Sequence, residues 1–487
     1  MSDLLQCRCG VCVTHTLHDC YGFLDALAHR GQEVTGIYGQ ATDGKIFCLK
    51  WLGPPKRVFD LTDMHKIFST GQDFHTFGGH VRYATRGEKD PRRLLVAGHP
   101  HVIGGEIEDR GDHLFIANAE MALVHNGEIN PIHLAAAAGT ATRTECDSER
   151  LLHVIRKQGP EETLRKIPGA FTLAYADIRT NKTLVLRDRT GIRPGVLGQK
   201  DNKYVMASED IAFRKNGARL IEDLEPGSLY HLYPDGRCGP QRGIATGPRR
   251  LCFFELHYFS HPGSTIDGIP IQFVRRLLGQ ELARRFPFPG ADLVTYLPRC
   301  PEPAALAYAT ALGLPFANIF YKANQERSFI GSTTQSRRQS ITRNLNLLPS
   351  LEVTYMISEN PIVYNTREFL RGKSIIVIDD SIVRGNNSRR VYEICRQAGV
   401  KRLTFLSYSP PVGIIGDDGN PRGCCYGVDM HPDSKFISRG RSEEAISRAL
   451  HMTVRQLPAD ALAEVYHQIG RDVSDFCTFC IGGSEPF

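Results

Sequence analysis

The sequence has 487 residues, of which 41% are hydrophobic and 23% charged, and its formal net charge is +6. A chain of this length and ordinary globular composition is expected to build two or more hydrophobic cores, which excludes a small single binding module, wholesale disorder and a coiled-coil rod. The 59 basic residues are spread along the chain without a basic run, which disfavours a nucleic-acid partner but allows an anionic small molecule.

Neither a membrane anchor nor a disulfide scaffold is expected. No apolar stretch approaches the ~20 residues that a membrane-spanning helix needs, and the first ten residues lack the apolar core of a secretory signal. We therefore expect a cytoplasmic protein with no membrane partner. The 14 cysteines are too sparse for a disulfide framework, and a reducing cytosol would not keep such bridges closed, so each cysteine is considered singly.

The first half of the chain has the pattern of a layered α+β domain. Alternating and β-branched residues predict strands in residues 78–87, 114–129, 169–191 and 202–210. Helical stretches are expected near residues 19–29 and 147–158. The Gly- and Pro-rich segment from Glu225 to Arg250 is the predicted boundary of this domain.

The second half alternates apolar runs with helical patterns. Strand, helix and strand follow one another in residues 291–320 and again in residues 374–409. This order predicts a parallel sheet with crossover helices. Such sheets bind their ligands at the carboxyl ends of the strands.

A polar loop follows the predicted strand that begins at Ser374. The strand stops at two acidic residues, Asp379 and Asp380. The loop that leads from them into a helix contains Ser381, Arg384, Gly385, Asn386, Asn387 and Ser388. Backbone N–H groups of such a loop and the positive end of the helix can cradle an anion. The acidic pair can hold ribose hydroxyls or a magnesium ion; the alternative is that it only starts a turn and that Ser388 only caps the helix.

The string VIDDSIVRGNNS at residues 377–388 resembles the signature of type I phosphoribosyltransferases, in the form found in the glutamine phosphoribosylpyrophosphate amidotransferase family. The resemblance implies that Asp379 and Asp380 contact the ribose of phosphoribosyl pyrophosphate together with Mg²⁺, and that the following loop holds its 5-phosphate. It also implies that the first half of the chain is a glutaminase.

Cys9-Gly10-Val11 resembles the start of N-terminal-nucleophile glutaminases, in which a terminal cysteine is the nucleophile and its own α-amine is the base. An α-amine titrates near ~7.7–8, whereas an amide nitrogen in mid-chain is not basic. Cys9 can therefore act only as the first residue, and we predict that residues 1–8 are a propeptide. Cys7 and Cys12 are the nearest rivals, but only Cys9 precedes Gly-Val.

Further strings of the first half match the same family. GHVRYAT resembles a family motif and implies that Arg82 binds the glutamine carboxylate. HNG implies an oxyanion hole made by the Asn126 side chain and the Gly127 N–H. CDSE implies that Asp147 holds the substrate ammonium; a helix N-cap is its alternative role. The segment His29–Glu33 also matches a string of the family. Three more matches are expected to serve the structure and not the chemistry: Arg187–Asp188, Gly191–Pro194 and Ala207–Glu209.

Four cysteines match positions of the family's iron–sulfur members. Cys477 and Cys480 form a CxxC near the carboxyl end, which in a cytosolic enzyme suggests metal or redox chemistry. The resemblance adds Cys252 and Cys424 and implies a structural [4Fe–4S] cluster. Four thiolates suit zinc equally, Cys425 can replace Cys424, and four unpaired thiols are the remaining alternative.

Three departures from the family fall in the second half. The usual VPDSG pyrophosphate loop reads LPRCP at residues 297–301, the KNRY string reads KANQ at residues 322–325, and Asn386-Asn387 replaces the usual TT. Arg299 either binds pyrophosphate or occludes the site. Residues 335–346 match the flexible loop of the family, whereas residues 349–369 exceed the family spacing and have no assigned role.

The resemblance implies an α+β N-terminal-nucleophile glutaminase domain in αββα layers, residues 9–235, and an α/β type I phosphoribosyltransferase domain with a parallel sheet, residues 250–487. Ammonia freed from glutamine would pass through an interior channel to phosphoribosyl pyrophosphate, giving 5-phosphoribosylamine, pyrophosphate and glutamate, the first step of purine biosynthesis. A homo-oligomer is expected. The alternatives are a glutaminase with another phosphorylated acceptor, and a non-catalytic, cluster-bearing regulatory relative.

Overall fold

The structure is a computed structural model. It describes residues 7–58, 61–68, 71–84, 90–130, 132–134, 141–298, 300–322, 345–353, 362–428 and 430–487. Several predictions fall outside these residues: the first six residues of the propeptide, Arg299, nearly all of the flexible loop, and the middle of the segment 349–369. Among the helices of the described ranges, none combines the length and the apolarity needed to cross a membrane.

The first half of the chain builds one continuous sheet in which every neighbouring pair of strands is antiparallel. Its strands are β1 (Cys7–Thr14), β2 (Val34–Ala41), β3 (Ile46–Leu52), β4 (Phe74–Ala84), β5 (His101–Asp109), β6 (His113–Glu128), β7 (Ala170–Asp177), β8 (Lys182–Arg187), β9 (Val196–Lys200), β10 (Lys203–Ala207), β11 (Arg219–Asp223), β12 (Ser228–Leu232) and β13 (Cys238–Gln241). The order along the sheet is β11-β9-β10-β1-β4-β2-β3-β6-β7-β8-β12-β13, and β5 also pairs with β6.

This sheet folds over on itself, because β1 contacts β6 and β7, from which it is separated along the sheet. The helices of this half are α1 (Leu17–Ala26), α2 (Pro55–Val58), α3 (Leu61–Phe68), α4 (Pro91–Val96), α5 (Asp147–Gln158), α6 (Pro160–Lys166) and α7 (Ile211–Asn216). One core lies between the two sheet layers and contains Val11 and Val13. A second core packs Cys12 against α1, and a third packs Leu123 against α5. The layered α+β fold is thereby confirmed.

The boundaries of the two predicted helices differ in accuracy. The second helix spans Asp147–Gln158, as predicted. The first begins at Leu17 and ends at Ala26, because the side chain of Thr16 accepts a hydrogen bond from the Asp19 N–H at 3.0 Å and so starts the helix two residues early.

The second half contains a parallel sheet with helices on both faces. Its strands are β14 (Leu251–Cys252), β15 (Thr265–Ile266), β16 (Ile269–Pro270), β17 (Leu293–Tyr296), β18 (Phe320–Lys322), β19 (Leu345–Leu347), β20 (Ser350–Val353), β21 (Ile362–Asn365), β22 (Ser374–Asp379), β23 (Arg402–Ser407), β24 (Thr453–Gln456) and β25 (Phe476–Cys477). Its helices are α8 (Ile271–Arg285), α9 (Glu302–Leu312), α10 (Thr366–Leu370), α11 (Asn386–Gln397), α12 (Glu443–Leu450) and α13 (Ala461–His467).

Four strands, in the order β17-β22-β23-β24, are parallel throughout. Successive residues of β22 point to opposite faces of the sheet. Ile376 and Ile378 pack in the core that contains α8, α9 and α13, while Ile375 and Val377 pack in the core that contains α11 and α12. Both faces are therefore covered, which is why β22 is a continuous apolar run, and the predicted α/β class is confirmed.

The segment between the two halves is partly ordered into the first sheet. Strands β12 and β13 carry that sheet to Gln241. Beyond it, Cys252 in β14 pairs in parallel with Cys477 in β25, so the last part of the chain returns to the start of the second half. The end of the first domain at residue 235 and the start of the second domain at residue 250 remain predictions from the sequence.

A buried cluster of charges joins the two halves. The guanidinium of Arg30 pairs with Glu209 and, at 2.8 and 3.0 Å, with both oxygens of Glu255. Arg193 donates to the same Glu255 carboxylate at 3.0 Å. All four side chains are buried, and the two guanidinium groups hold the pKa of Glu255 below its usual value against the effect of burial. Glu255 is thus the counter-ion that the second half supplies to two arginines of the first.

Replacing Glu255 with Gln should destabilise the protein strongly, because two buried guanidinium groups would lose their shared counter-ion. We expect the Glu255→Gln variant to lose about 3–5 kcal/mol of unfolding free energy, the usual consequence of breaking a buried ion pair. Urea unfolding followed by circular dichroism measures the effect. Glu162→Gln, at an exposed carboxylate that pairs with Arg165 and Lys166, is the control; equal midpoints for the two variants would contradict the assignment.

Candidate active sites

Cys9 and Arg82 face each other across neighbouring strands. In the β1–β4 pair, Cys9 lies directly opposite Arg82, so the two side chains project from the same face of the sheet. Both residues are fully buried. Cys9 has the same orientation as Val11 and Val13, which line the space between the two sheet layers. The predicted nucleophile and the predicted carboxylate clamp therefore meet inside the sandwich.

The backbone at Cys9 is tightly held. Its carbonyl oxygen accepts a hydrogen bond from Arg30 Nε at 2.9 Å. A Cβ at Gly10 would come within 2.9 Å of Val81 and 3.0 Å of Leu27, which explains why glycine follows the cysteine. Strand β1 begins at Cys7, and Cys7 and Arg8 continue the pairing with β4. In this chain, therefore, the nitrogen of Cys9 belongs to a peptide bond.

Asn126 and Gly127 form a ready-made donor pair near the end of β6. The Asn126 side chain is fully buried, and neither its amide nitrogen nor its oxygen has a hydrogen-bond partner among the described residues. An unsatisfied buried amide costs stability unless a ligand completes it. Gly127 has φ +153°, and a Cβ there would lie 1.8 Å from the Ala170 carbonyl oxygen, so only glycine fits. The geometry suits a site that binds an oxygen atom of a substrate.

Asp147 lies beside this donor pair. One carboxylate oxygen accepts the Ile129 N–H at 2.9 Å, two residues after Gly127, and the other accepts the Ser148 N–H at 2.8 Å. Asp147 is the first residue of α5, and the N-cap position belongs to Cys146. The alternative role of Asp147 as helix N-cap is therefore wrong. Its buried carboxylate instead ties α5 to the strand that carries Asn126.

Four buried histidines next to this site were not singled out from the sequence. The rings of His80 and His99 stack with centroids 3.9 Å apart, and His101 meets His99 edge-on at 4.6 Å. Nε2 of His80 lies 3.1 Å from the His125 carbonyl oxygen. Burial lowers the pKa of all four, to about 3 for His80. The string His99-Pro100-His101 was the available signal, but alternation alone does not reveal that both rings are buried.

The acidic pair lies at the carboxyl end of β22, as predicted. Asp379 and Asp380 are buried, and the N–H of Asp380 donates to Asp379 Oδ1 at 2.9 Å. Ser381 Oγ donates to Asp380 Oδ1 at 2.7 Å. Burial and the adjacent Asp380 charge raise the pKa of Asp379, while the charge of Lys322 opposes the rise. Two crowded carboxylates at a strand end suit hydroxyl groups or a cation.

The loop that follows is shorter than predicted. Its last residue is Gly385, the N-cap of α11, with φ +74°, and a Cβ there would come within 2.6 Å of Ile437. Asn386, Asn387 and Ser388 form the first turn of α11. The alternative that Ser388 caps the helix is therefore wrong. The N–H groups of this first turn have no partner within the helix and lie just beyond the acidic pair, where they can bind an anion.

The four predicted metal-binding cysteines converge from three segments and are all buried. Cys252 pairs with Cys477 across β14 and β25, so both side chains project from one face of this two-stranded ribbon. Burial raises the pKa of Cys424 and Cys480, and the neighbouring thiols raise it further. Cys425 is less buried than Cys424. Within the described ranges, no group of three or more His, Cys, Asp or Glu side chains is arranged to hold a metal ion.

The cysteine-bearing loop also contacts the first half of the chain. The Gly427 N–H donates to Glu128 Oε2 at 2.7 Å, and Glu128 follows Gly127 directly. The carbonyl oxygen of Tyr426 accepts Arg193 Nε at 3.1 Å. The loop that contains Cys424 therefore rests on the strand that carries the candidate oxyanion hole.

Known proteins resemble this chain over nearly its whole length. A family model described as a glutamine amidotransferase domain matches residues 106–215. Amidophosphoribosyltransferases of Bacillus subtilis and Methanothermobacter thermautotrophicus are each 30% identical to it, over 96% of this chain and 90% of theirs. The solved structure of glutamine phosphoribosylpyrophosphate amidotransferase from B. subtilis, complexed with ADP and GMP, has a TM-score of 0.75 and 27% identity, covering 98% of this chain and 97% of that one.

The histidine cluster predicts a loss of stability in mild acid. The unfolded chain takes up protons on these imidazoles near pH 6.5, whereas folded His80 does so only near its pKa of about 3. Folding therefore becomes less favourable as the pH falls below 6.5, by about 1.4 kcal/mol per pH unit for each such ring. We expect Tm to drop between pH 7 and pH 5, measured by differential scanning fluorimetry.

The His99→Gln variant should show a shallower drop. Neither ring nitrogen of His99 has a hydrogen-bond partner within the described residues, so this substitution removes a titrating group without breaking a bond. The His467→Gln variant, at an exposed histidine, is the control and should follow the wild type. If Tm falls with pH as steeply in His99→Gln as in the wild type, the histidine cluster is not the cause of the acid destabilisation.

Proposed function

Because the chain belongs to the amidophosphoribosyltransferase family, we propose that it transfers ammonia from glutamine to phosphoribosyl pyrophosphate, giving 5-phosphoribosylamine, pyrophosphate and glutamate. This is the first committed step of purine biosynthesis. The observation that carries the proposal is the cross-strand pair of Cys9 and Arg82 inside the first-half sandwich, together with the buried Asn126 amide, which has no hydrogen-bond partner among the described residues and lies on β6, a strand that β1 contacts.

In the glutaminase reaction, Cys9 Sγ attacks the side-chain carboxamide carbon of glutamine. The α-amine of Cys9 takes the thiol proton and later gives it to the leaving nitrogen, so that ammonia departs and a thioester remains. The Asn126 amide and the Gly127 N–H donate to the negative oxygen of the tetrahedral intermediates. Water then hydrolyses the thioester to glutamate.

Arg82 and Asp147 hold the substrate's other end. The guanidinium of Arg82 binds the α-carboxylate, and the carboxylate of Asp147 binds the α-ammonium. Both side chains are buried, at 0% and 5% exposure, so water does not screen their attraction for the charged groups of the substrate. Together they set glutamine with its carboxamide towards Cys9, which removes the entropic cost of finding that orientation during the reaction.

The acceptor site lies at the carboxyl end of β22. Asp379 and Asp380 bind the ribose hydroxyls of phosphoribosyl pyrophosphate. The loop from Ser381 to Ser388, which includes Arg384, binds its 5-phosphate. Ammonia attacks C1 of the ribose, the C1–O bond breaks, and pyrophosphate leaves with the bonding electrons. Mg²⁺, when bound, neutralises the pyrophosphate charge, and the acidic pair offers the oxygen ligands that it prefers.

Removal of residues 1–8 is part of this proposal. Cys7 and Arg8 continue the strand that pairs with β4, and while they are attached the nitrogen of Cys9 is an amide and cannot serve as the base. Cleavage before Cys9 would supply a free α-amine of suitable pKa at that position. The strand pairing beyond Cys9 would hold the new terminus in place.

A [4Fe–4S] cluster on Cys252, Cys424, Cys477 and Cys480 is proposed as a structural group, with zinc as the alternative. The chemistry of the donor set supports this, because the four soft thiols come from three segments, are all buried and influence one another electrostatically; the described side chains are not themselves arranged as a metal site. When bound, either group replaces four thiol protons and links the carboxyl-terminal segment to the start of the second half. No step of the reaction passes through it.

We also propose that the protein is a cytoplasmic homo-oligomer. Helices α8 and α9 line a groove of about 700 Å³ on the surface. Phe273 and Leu306 lie in that groove and are 36% and 46% exposed. An apolar patch of this kind supports contact with another copy of the chain.

Cys9→Ala and Asp379→Ala should separate the two half-reactions. Cys9→Ala removes the nucleophile, so glutamine-dependent pyrophosphate release should fall by more than about 10³-fold, while release driven by an ammonium salt stays within about twofold. Asp379→Ala should reduce both. Cys12→Ala, at the buried cysteine that faces α1, is the matched control. Glutamine hydrolysis without any use of phosphoribosyl pyrophosphate would favour another phosphorylated acceptor.

Metal analysis of anaerobically purified protein tests the cysteine site. We expect about four irons per chain and a broad visible absorption, both lost in Cys477→Ser, because one missing thiolate opens the cluster. Cys395→Ser, at a buried cysteine in α11, should retain both. One zinc per chain would select the alternative, and the absence of either metal from folded, active protein would contradict a metal site.

A further inference from the structure

His257 lies at the centre of a buried polar group next to the acidic pair. It belongs to a π-helical turn, Glu255–Phe259, and is fully buried. Its Nδ1 lies 2.9 Å from Ser409 Oγ and its Nε2 lies 3.1 Å from Tyr466 Oη. Its carbonyl oxygen accepts Tyr408 Oη–H at 2.7 Å. Three hydrogen bonds thus fix the position and the orientation of this residue.

Two of the three partners come directly after β23, the strand next to the acidic pair. In the β22–β23 register, Asp379 lies opposite Ser407. The Tyr408 N–H donates to the Asp379 carbonyl oxygen at 3.3 Å, and the Ser409 N–H donates to the Asp380 carbonyl oxygen at 3.0 Å. Residues 407–409 therefore hold the backbone of both acidic residues.

The acidic pair needs such support. Two carboxylates on successive residues repel each other when water is excluded. The Asp380 carbonyl oxygen accepts a hydrogen bond from the Ser409 N–H at 3.0 Å. The single hydroxyl proton of Ser407 goes to the nearer of two acceptors, the Ser409 carbonyl oxygen at 2.9 Å, while the Asp380 carbonyl oxygen lies 3.3 Å from the same Oγ. Outside the sheet, Ser409 and Tyr408 are bonded to His257, which anchors this segment to the turn Glu255–Phe259.

We propose that His257 is a positioning residue for the acceptor site, which acts through Ser409 and Tyr408 to set the backbone of Asp379 and Asp380 for the sugar phosphate. The inference rests on the proposed role of the acidic pair. Both ring nitrogens of His257 are already engaged, by Ser409 and Tyr466. Sequence reasoning passed over it because it lies between the motif residues Glu255 and Tyr258 without belonging to either match.

The imidazole acts in its neutral form. Burial, and to a lesser degree the charge of Arg275, lowers the pKa of His257 to about 3. One ring nitrogen therefore donates and the other accepts at any pH at which the protein is assayed. An uncharged side chain with one polar atom at the position of Nδ1 or of Nε2 can therefore replace one of the two ring hydrogen bonds.

Asn and Gln substitutions distinguish the two ring nitrogens. The amide of His257→Asn can occupy the place of Nδ1 and keep the contact with Ser409, whereas that of His257→Gln reaches the place of Nε2 and keeps the contact with Tyr466. With an ammonium salt as nitrogen donor, we expect His257→Asn to keep KM for phosphoribosyl pyrophosphate within about twofold. His257→Gln should raise it about tenfold, the effect of one lost buried hydrogen bond, with kcat within twofold.

Hydrogen exchange supplies a readout that does not depend on turnover. The amides of residues 379–380 and 407–409 should exchange faster in His257→Gln than in His257→Asn or the wild type. His15→Ala is the control: His15 is a buried histidine of the first half, with both ring nitrogens near backbone carbonyl oxygens at 2.9 and 3.0 Å, and its loss should change neither quantity.

Unchanged exchange and unchanged KM in His257→Gln would overturn the inference. Parallel changes of KM, kcat and Tm in both variants would do so as well, since they would indicate a merely structural residue. A wild type that never consumes phosphoribosyl pyrophosphate would instead overturn the proposed function, while faster exchange confined to His257→Gln would still support the anchoring role.

Discussion

The Arg30 guanidinium makes the interactions on which the rest of the molecule depends. Its Nε holds the Cys9 carbonyl oxygen at 2.9 Å, and its other nitrogens bind the carboxylates of Glu209 and Glu255. Because this group is buried, removing Glu255 would leave an unpaired charge in the interior, and removing Arg30 would take away the side-chain hydrogen bond to the Cys9 carbonyl oxygen. The backbone at the predicted nucleophile is therefore linked, through Arg30, to a carboxylate of the second half of the chain.

The same short segment reaches the second site. Glu255 begins the π-helical turn that contains His257, and the Tyr258 carbonyl oxygen accepts a hydrogen bond from Cys300 Sγ at 3.3 Å, in the loop after β17. One turn of five residues thus lies between the charge cluster behind Cys9 and the strand ends that bear the acidic pair. Such π-helical turns are often found at functional sites. Their irregular backbone here allows neighbouring side chains to point towards both halves.

The sequence was sufficient for the architecture but not for the hydrogen bonds. Period-two alternation identified β4 and β6, a continuous apolar run identified β22, and the resemblance identified the side chains that line the sites. The alternative cap roles of Asp147 and Ser388 are both wrong, because the residue that caps a helix depends on backbone angles such as the positive φ of Gly385. Ion pairs such as Arg30–Glu255, 225 residues apart, and the burial of His99 and His257 arise only from packing, which no local pattern records.

Glutamine hydrolysis by Cys9 requires that Cys9 be the first residue of the working protein, since only then does the thiol have a base. Intact-mass measurement of purified protein, paired with its rate of glutamate production from glutamine, tests this most directly. We expect a chain that begins at Cys9 whenever glutamine is used, and no glutamine use when residues 1–8 are retained. Full activity with glutamine in protein that still carries those residues would contradict it.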